Sequence, residues 1–344
     1  MIDDMADDPD VLAFDAVHDP GTTDVDTDVD TDLDTDLDTD VDADVDVPPV
    51  DLDLDPLSRP GTDDTREHGG VALPRHVSPS SAAAFEQCPR RWRFKYIDNE
   101  REPSGQAALV GSFAHRVLEF VCGLPAVHRT PEQAKALAKE LWHDFATDPD
   151  YQALELDDDQ ARAFRWQAWL SITGLWDLED PARVEVVTTE QRVSVDLGDV
   201  PFVGVIDRVD RVADKLVVSD YKSGSLPRVR WRGDKIQQVM LYAAALTRST
   251  GDQPHRARLL YLGQRILDVA VTERRLEEAE GQLAATWGRI TASCTADSHE
   301  PNPGVLCGWC PFVDRCPEGR SELVRRAEAG TLPAHAPAAA TLVA

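Results

Sequence analysis

Between Gly204 and Gly224 the chain reads G-V-I-D-R-V-D-R-V-A-D-K-L-V-V-S-D-Y-K-S-G, and this stretch restricts the fold more tightly than any other. Valine and isoleucine alternate with other residues on both sides of Ala213-Asp214, which is the pattern of two strands joined by a tight turn. Paired positions in an antiparallel hairpin have a constant sum, so pairing Val212 with Lys215 sets Asp207 opposite Asp220. Lys222, two residues beyond Asp220, shares its face. Two carboxylates about 5 Å apart, at an effective dielectric near 20, repel by roughly 3 kcal/mol. Lys222 offsets part of this, and a hard divalent cation held by the carboxylates, a backbone carbonyl and waters would offset the rest. A solvated hairpin whose charges merely line up would carry the same D-x-K, so the flanking segments have to decide.

The chain has 344 residues, enough for one large or two ordinary domains. Its net charge of −28 argues against a nucleic-acid partner only until the distribution is read. Residues 1–66 hold 24 acidic and 2 basic side chains, a net of −22, which leaves −6 for the rest. Within that stretch the repeat D-V-D-T-D-V-D-T-D-L-D-T alternates valine or leucine with aspartate. Its like charges cannot bury a core, so residues 1–70 are expected to be a disordered acidic tail. Calcium-binding nonapeptide repeats also space aspartates regularly, but they need glycines that are missing from 22–50. No apolar run approaches the ~20 residues that span a bilayer, and no basic-then-apolar leader opens the chain. The expectation is a soluble, cytoplasmic protein with no membrane partner. Six cysteines in such a chain suggest metal or cluster ligation before a disulfide framework.

Folded sequence is expected from about Val77. Ser78-Pro79 is a helix start, with serine capping and proline in the first turn, and Pro89 limits that helix just after Cys88. R-R-W-R-F-K-Y follows, interleaving Arg90, Arg91, Arg93 and Lys95 with Trp92, Phe94 and Tyr96. It reads equally as a phosphate-and-base contact surface or as an amphipathic helix with snorkelling arginines. Residues 108–122 form a helix with an apolar stripe of Phe113, Val117, Phe120 and Val121. His115 lies off that stripe, with Gly111 leaving room beside it. A helical insertion occupies about 124–180; its Trp142, Trp166, Trp169 and Trp176 are assigned mainly to packing. Strands resume at Arg183. After the hairpin come Arg228, Arg230, Trp231, Arg232 and Lys235, a second basic and aromatic cluster suited to a phosphate backbone. A helix from Lys235 to Thr247 buries Ile236, Val239, Met240 and Ala243, and places Gln238 and Tyr242 together on another face. Strands at 256–262 and 266–271 and a helix at 273–293 complete the order helix, three strands, helix, strand.

G-x-x-D-R-x-D followed by D-Y-K-S-G resembles the core of the PD-(D/E)XK nuclease superfamily, in particular its RecB-like and AddB-like exonuclease branch. S-P-S…C-P-R-R-W-R-F-K-Y resembles the N-terminal signature of those domains. The resemblance implies an α/β restriction-endonuclease-like core, a mixed sheet flanked by helices, over 77–320. It implies that Asp207 and Asp220 bind Mg²⁺ or Mn²⁺ and that Lys222 positions and polarises the attacking water. G-S-F-A-H matches the family's G-x-x-x-H, which implies that His115 approaches the metal. Q-V-M-L-Y matches Q-x-x-x-Y, which implies that Gln238 and Tyr242 line the cleft. Glu190 stands at a first-strand position that is often acidic in the family; a structural salt bridge is an equal reading.

Cys307-x2-Cys310-x5-Cys316 needs a fourth ligand, for which Cys88 is the candidate. Zinc fits three or four such thiolates. A distant Cys-Pro followed by C-x2-C-x5-C-P is, however, similar to the iron–sulfur staple of AddB-like and CRISPR-associated nucleases, which implies a [4Fe–4S] cluster. Cys122 and Cys294 are expected to be ordinary buried cysteines, and 321–344 an Ala-rich C-terminal tail. The expectation overall is a metal-dependent DNA nuclease, an exonuclease, in repair or recombination. No G-x-x-x-x-G-K-[ST] is present, so single strands, frayed ends or a helicase partner must supply its substrate. A CRISPR spacer-acquisition nuclease and a non-catalytic DNA-binding scaffold keeping the cluster are the alternatives.

Overall fold

The structure is a computed structural model that describes residues 11–15, 65–68 and 71–342. Its strands are β1 (Val11–Asp15), β2 (Thr65–His68), β3 (Val71–Pro74), β4 (Glu185–Leu197), β5 (Val200–Val212), β6 (Lys215–Lys222), β7 (Arg256–Tyr261) and β8 (Arg265–Ala270). The helices are α1 (Pro79–Gln87), α2 (Pro89–Tyr96), α3 (Gln106–Gly123), α4 (Pro131–Phe145), α5 (Pro149–Gln152), α6 (Asp158–Thr173), α7 (Gly233–Thr250), α8 (Glu273–Thr295) and α9 (Pro317–Glu328).

One mixed sheet runs in the order β1-β8-β7-β6-β5-β4, with β6 and β7 parallel and the other neighbours antiparallel. A parallel pair needs a long crossover, and α7 supplies it. One face of the sheet packs on α1, α2, α7 and α8 through residues such as Trp92, Ile206, Val218, Met240 and Leu283. The other packs on α3, α4 and α6 through Val117, Leu137, Phe164, Tyr221 and Leu260. The result is the helix–sheet–helix core of the PD-(D/E)XK type that the motifs imply.

Local rules account for the hairpin. Ala213 and Asp214 have φ of 48° and 62°, the two left-handed residues of a type I′ turn, whose twist matches the flanking strands. The ladder then pairs Val212 with Lys215 and runs to Arg208 with Ser219. β5 changes face where that ladder ends. Phe202 and Ile206 pack toward α7, whereas Arg208 hydrogen-bonds Tyr221 and Asp210 on the opposite side. On the β4 side, pairing passes from Thr189 with Arg208 straight to Gln191 with Ile206. Glu190 and Asp207 face each other at this kink, and Glu190 takes φ +46°. A non-glycine residue there stores strain, which the surrounding structure must hold in place.

Ser78 accepts a hydrogen bond from the Ser81 amide at 3.1 Å, the expected helix start. Cys88 is at once the last cap of α1 and the first of α2, so it sits at a sharp corner fixed by Pro89. The insertion holds α4, α5 and α6, packed through an aromatic cluster of Phe113, Trp142, Phe145, Tyr151 and Phe164. Trp166 departs from the packing role expected of it, being 48 % exposed.

Within 1–70, Val11–Asp15 pairs with β8 and Thr65–His68 pairs with β3, because these short segments lack the aspartate at every second position; the Asp repeat itself lies outside the described residues. A boundary at 320 would cut α9, and beyond it Leu323, Leu332, Ala336 and Ala338 pack against the cysteine segment, where an apolar face of small residues fits. Among the described residues no helix is long and apolar enough to cross a membrane.

Candidate active site

The kink in β5, the end of β6, the middle of α3 and the first half of α7 meet at one place. Lys222 Nζ lies 2.5 Å from Asp220 Oδ2 and donates to Gln238 Oε1 at 3.2 Å. Gln238 Nε2 in turn donates to Asp220 Oδ1 at 3.2 Å and to the Tyr242 hydroxyl at 3.1 Å. The i, i+4 spacing on α7 thus ties the D-x-K strand to the helix above it. Gly204 permits this: a Cβ there would stand 2.8 Å from Tyr242 Cε1.

Asp207 occupies the other half. Its Oδ2 accepts the Tyr221 amide at 2.7 Å and lies 3.4 Å from His115 Nδ1. His115, Glu190 and Asp207 present donor atoms within 4.8 Å of one another. The histidine reaches the site because α3 packs across β4 and β5, which sets its ring edge-on to Tyr221, with centroids 5.7 Å apart. The room at Gly111 is taken by Ser223, whose Oγ a Cβ would meet at 2.7 Å, so that glycine serves helix–strand approach, not the imidazole.

The electrostatics reflect crowded acids. Burial, followed by the Asp207 charge, raises Asp220 to about 6 despite Lys222. Burial, then Asp207 and Glu119, raises Glu190 to about 8. Burial opposes the imidazolium, but Asp207 outweighs it and takes His115 to about 9. Acids held this high next to one another are short of positive charge.

Beneath Asp207 the fully buried Arg208 guanidinium pairs with Asp210 at 2.7 Å and Glu179 at 2.6 Å, and donates to the Tyr221 hydroxyl at 3.0 Å. Cys122 Sγ sits 3.3 Å from that hydroxyl, so Cys122 joins a polar network instead of simply filling space. This layer is invisible in the period-two reading, because it depends on β5 changing face.

The cysteines form a separate place in the fold. Cys88, Cys307, Cys310 and Cys316 line one cavity of about 200 Å³, with Arg90, Arg91 and Phe94. Backbone N–H groups point at the sulfurs: Asn302 to Cys88 at 3.5 Å, Gly304 to Cys307 at 3.4 Å and Gly319 to Cys316 at 3.3 Å. The Phe312 amide does the same for Cys310, although burial keeps that thiol above its usual value. Donors aimed at sulfur favour thiolate, the form that ligates metals. Cys294 is buried 3.7 Å from His299 and stands apart from this set.

Of the two basic clusters, the first is spent within the protein. Trp92 and Phe94 are buried, Arg91 and Lys95 pair with Glu102, and Arg93 pairs with Asp98 and Asp297. The snorkelling-helix reading of Arg90–Lys95 therefore holds over the base-contact one. In the second, Arg228 and Lys235 make no ion pair among the described residues, and Arg232 donates to the Pro227 carbonyl at 3.1 Å. The Trp231 side chain lies outside the described residues.

The profile of the PD-(D/E)XK nuclease superfamily matches residues 76–317, which takes in the site residues and all four cysteines of the cavity and ends at the first residue of α9. The chain belongs to that superfamily. Its members use divalent metal ions, and the imidazole–carboxylate set of His115, Glu190 and Asp207 has the donor chemistry for one. A solved structure of a protein from Eubacterium rectale inferred to be an exonuclease is similar over 70 % of this chain and 88 % of that one, at 15 % identity and a TM-score of 0.40. No curated protein matches the chain.

Proposed function

We propose that the protein is a metal-dependent deoxyribonuclease acting from DNA ends. The observation that supports it best is the closed set of contacts among Asp220, Lys222 and Gln238, placed beside the His115–Glu190–Asp207 donors. Asp207, Asp220 and His115, with Glu190, would hold Mg²⁺ or Mn²⁺, and the imidazole nitrogen suits Mn²⁺ better than Mg²⁺. When bound, the ion lowers the pKa of a water and neutralises charge on the phosphate. Lys222, fixed by Asp220 and Gln238, orients the attacking water and stabilises the developing oxyanion. Gln238 and Tyr242 keep the lysine in one rotamer. Strand separation at the end comes from fraying or a helicase partner, in repair or recombination.

The four thiols that line one cavity are assigned to a [4Fe–4S] cluster on the resemblance of Cys88 and Cys307-x2-Cys310-x5-Cys316 to the iron–sulfur staple of AddB-like nucleases, with structural zinc as the alternative. A cluster would staple the corner at Cys88 to the segment 307–316 and so close the domain across its whole length.

End-labelled single-stranded and duplex DNA, incubated with the protein and Mg²⁺ or Mn²⁺, tests the function. Stepwise shortening from an end is expected. Intact substrate with both metals, at a protein concentration that binds the DNA, would overturn the reading.

A further inference from the structure

Two polar groups beside Lys222 have no role in the centre just described. The first is Tyr261. β6 and β7 run parallel with Lys222 in register with Tyr261, so both side chains stand on the face covered by α7. Tyr261 is 2 % exposed, and its hydroxyl is buried with no hydrogen-bond partner among the described residues. A buried hydroxyl left unpaired is destabilising, and an orphan of this kind calls for an explanation. Burial, then the Asp220 charge, raises its pKa to about 12, while the nearby Arg232 works the other way. It is a permanent donor between the carboxylates and the start of α7.

The second is Lys235, in the first turn of α7. The helix has eighteen residues and its N-cap, Arg232, offers no side-chain acceptor, so its first amides, those of Gly233 and Asp234, have no capping side chain, and Asp234 is the acidic residue of that turn. Lys235 is exposed and makes no ion pair among the described residues. Crowding of its ammonium by protein, followed by the charge of Lys222, lowers its pKa; Asp220 and Asp234 oppose this without coming within ion-pair distance. The Lys222 ammonium is held by Asp220 and Gln238, which leaves the Lys235 ammonium and the Tyr261 hydroxyl as the donors without a side-chain acceptor among the described residues.

We propose that Lys235 and Tyr261, with the first turn of α7, form a binding subsite for the nucleic-acid phosphate next to the one being cleaved. A phosphodiester oxyanion accepts from the hydroxyl, the ammonium and the helix amides, and it relieves the repulsion between Lys222 and Lys235. Protein covers the hydroxyl, so the phosphate reaches it by displacing the side chains above. The proposal rests on the nuclease reading and adds the position of a second phosphate contact.

The test uses the full-length protein carrying Asp220→Asn to stop cleavage, and a fluorescent single-stranded oligonucleotide followed by anisotropy across a salt series. Lys235→Gln should weaken binding and make the log–log salt slope shallower by about 0.7, the share of one phosphate contact on a single strand. Tyr261→Phe should weaken binding about 3- to 30-fold at every salt concentration with the slope unchanged, because it removes a neutral donor. Urea unfolding adds a second readout: losing an unpartnered oxygen should leave Tyr261→Phe as stable as its parent or more so. Parent-like binding by both variants, an unchanged slope in Lys235→Gln, or a destabilised Tyr261→Phe would each overturn the subsite. If the wild type cuts DNA and both variants match their parent, only the subsite falls; a wild type that neither binds nor cuts takes the nuclease reading with it.

Discussion

Gly204→Ala tests the coupling between β5 and α7 without touching a polar group. The new Cβ would stand 2.8 Å from Tyr242 Cε1, 3.1 Å from Cδ1 and 3.3 Å from Phe202 Cε1. Carbon atoms settle at about 3.7 Å, so the ring must retreat by roughly 0.9 Å. Tyr242 is buried, and its neighbours in α7 are packed against the sheet, so the movement is not free. Overpacking of this size costs about 1–3 kcal/mol. The same retreat strains the 3.1 Å contact with Gln238 Nε2 toward the ~3.5 Å limit of a hydrogen bond. Gln238 also holds Lys222 and Asp220, so a loss of the order of 100-fold in single-turnover cleavage is expected. Urea unfolding should show a lower midpoint with an unchanged slope. Adding Tyr242→Leu should recover most of the stability and none of the rate, a coupling of about 1 kcal/mol or more in the double-mutant cycle. A Gly204→Ala protein that unfolds and cleaves like wild type would refute the account of this glycine.

Three further outcomes follow from the same geometry. Lys222→Ala and Asp220→Ala should lower cleavage at least about 100-fold while circular dichroism and iron content stay unchanged; a wild-type rate from clean Lys222→Ala protein removes the assigned mechanism. Because Glu190 is held at about 8 and Asp220 at about 6, the metal must displace protons that these carboxyls carry at lower pH. Mn²⁺ affinity should therefore rise from pH 6 to pH 8, and the titration heat should vary with the ionisation enthalpy of the buffer; affinity independent of both contradicts the raised values. Protein purified without oxygen should contain about four irons per chain, and Cys88→Ser should lower the stability of the whole domain; stoichiometric zinc with no iron would exclude the cluster.

Much of the architecture is legible because it follows from rules that act over a few residues. The constant sum across the hairpin gives the register from Ala213-Asp214 to Arg208 and Ser219, and the ladder keeps it. Ser78-Pro79 and Pro89 bound α1 and α2 because capping and the missing proline amide are local effects. The 3.6-residue period assigns Ile236, Val239, Met240 and Ala243 to the core and leaves Gln238 and Tyr242 side by side. Composition likewise separates the Asp-rich segment from the body.

What the sequence could not settle depends on partners far away in the chain. Whether Arg91 and Lys95 meet DNA or Glu102 turns on how the loop after α2 folds back on the helix. Glu190 joins His115 and Asp207 where the β4 backbone turns left-handed at Glu190 itself, a strain that no propensity announces. Ser223 fills the space at Gly111, and Arg208 lies under Asp207 with its charge met by Glu179 and Asp210. Tyr261 reaches Lys222 through a parallel pairing whose register α7 and the loops around it decide. Strand alternation and helical period are set by the backbone of each segment alone, so they can be read from the chain. Strand order, face changes and the meeting of charges are set by packing the segments together, and only the tertiary structure decides them.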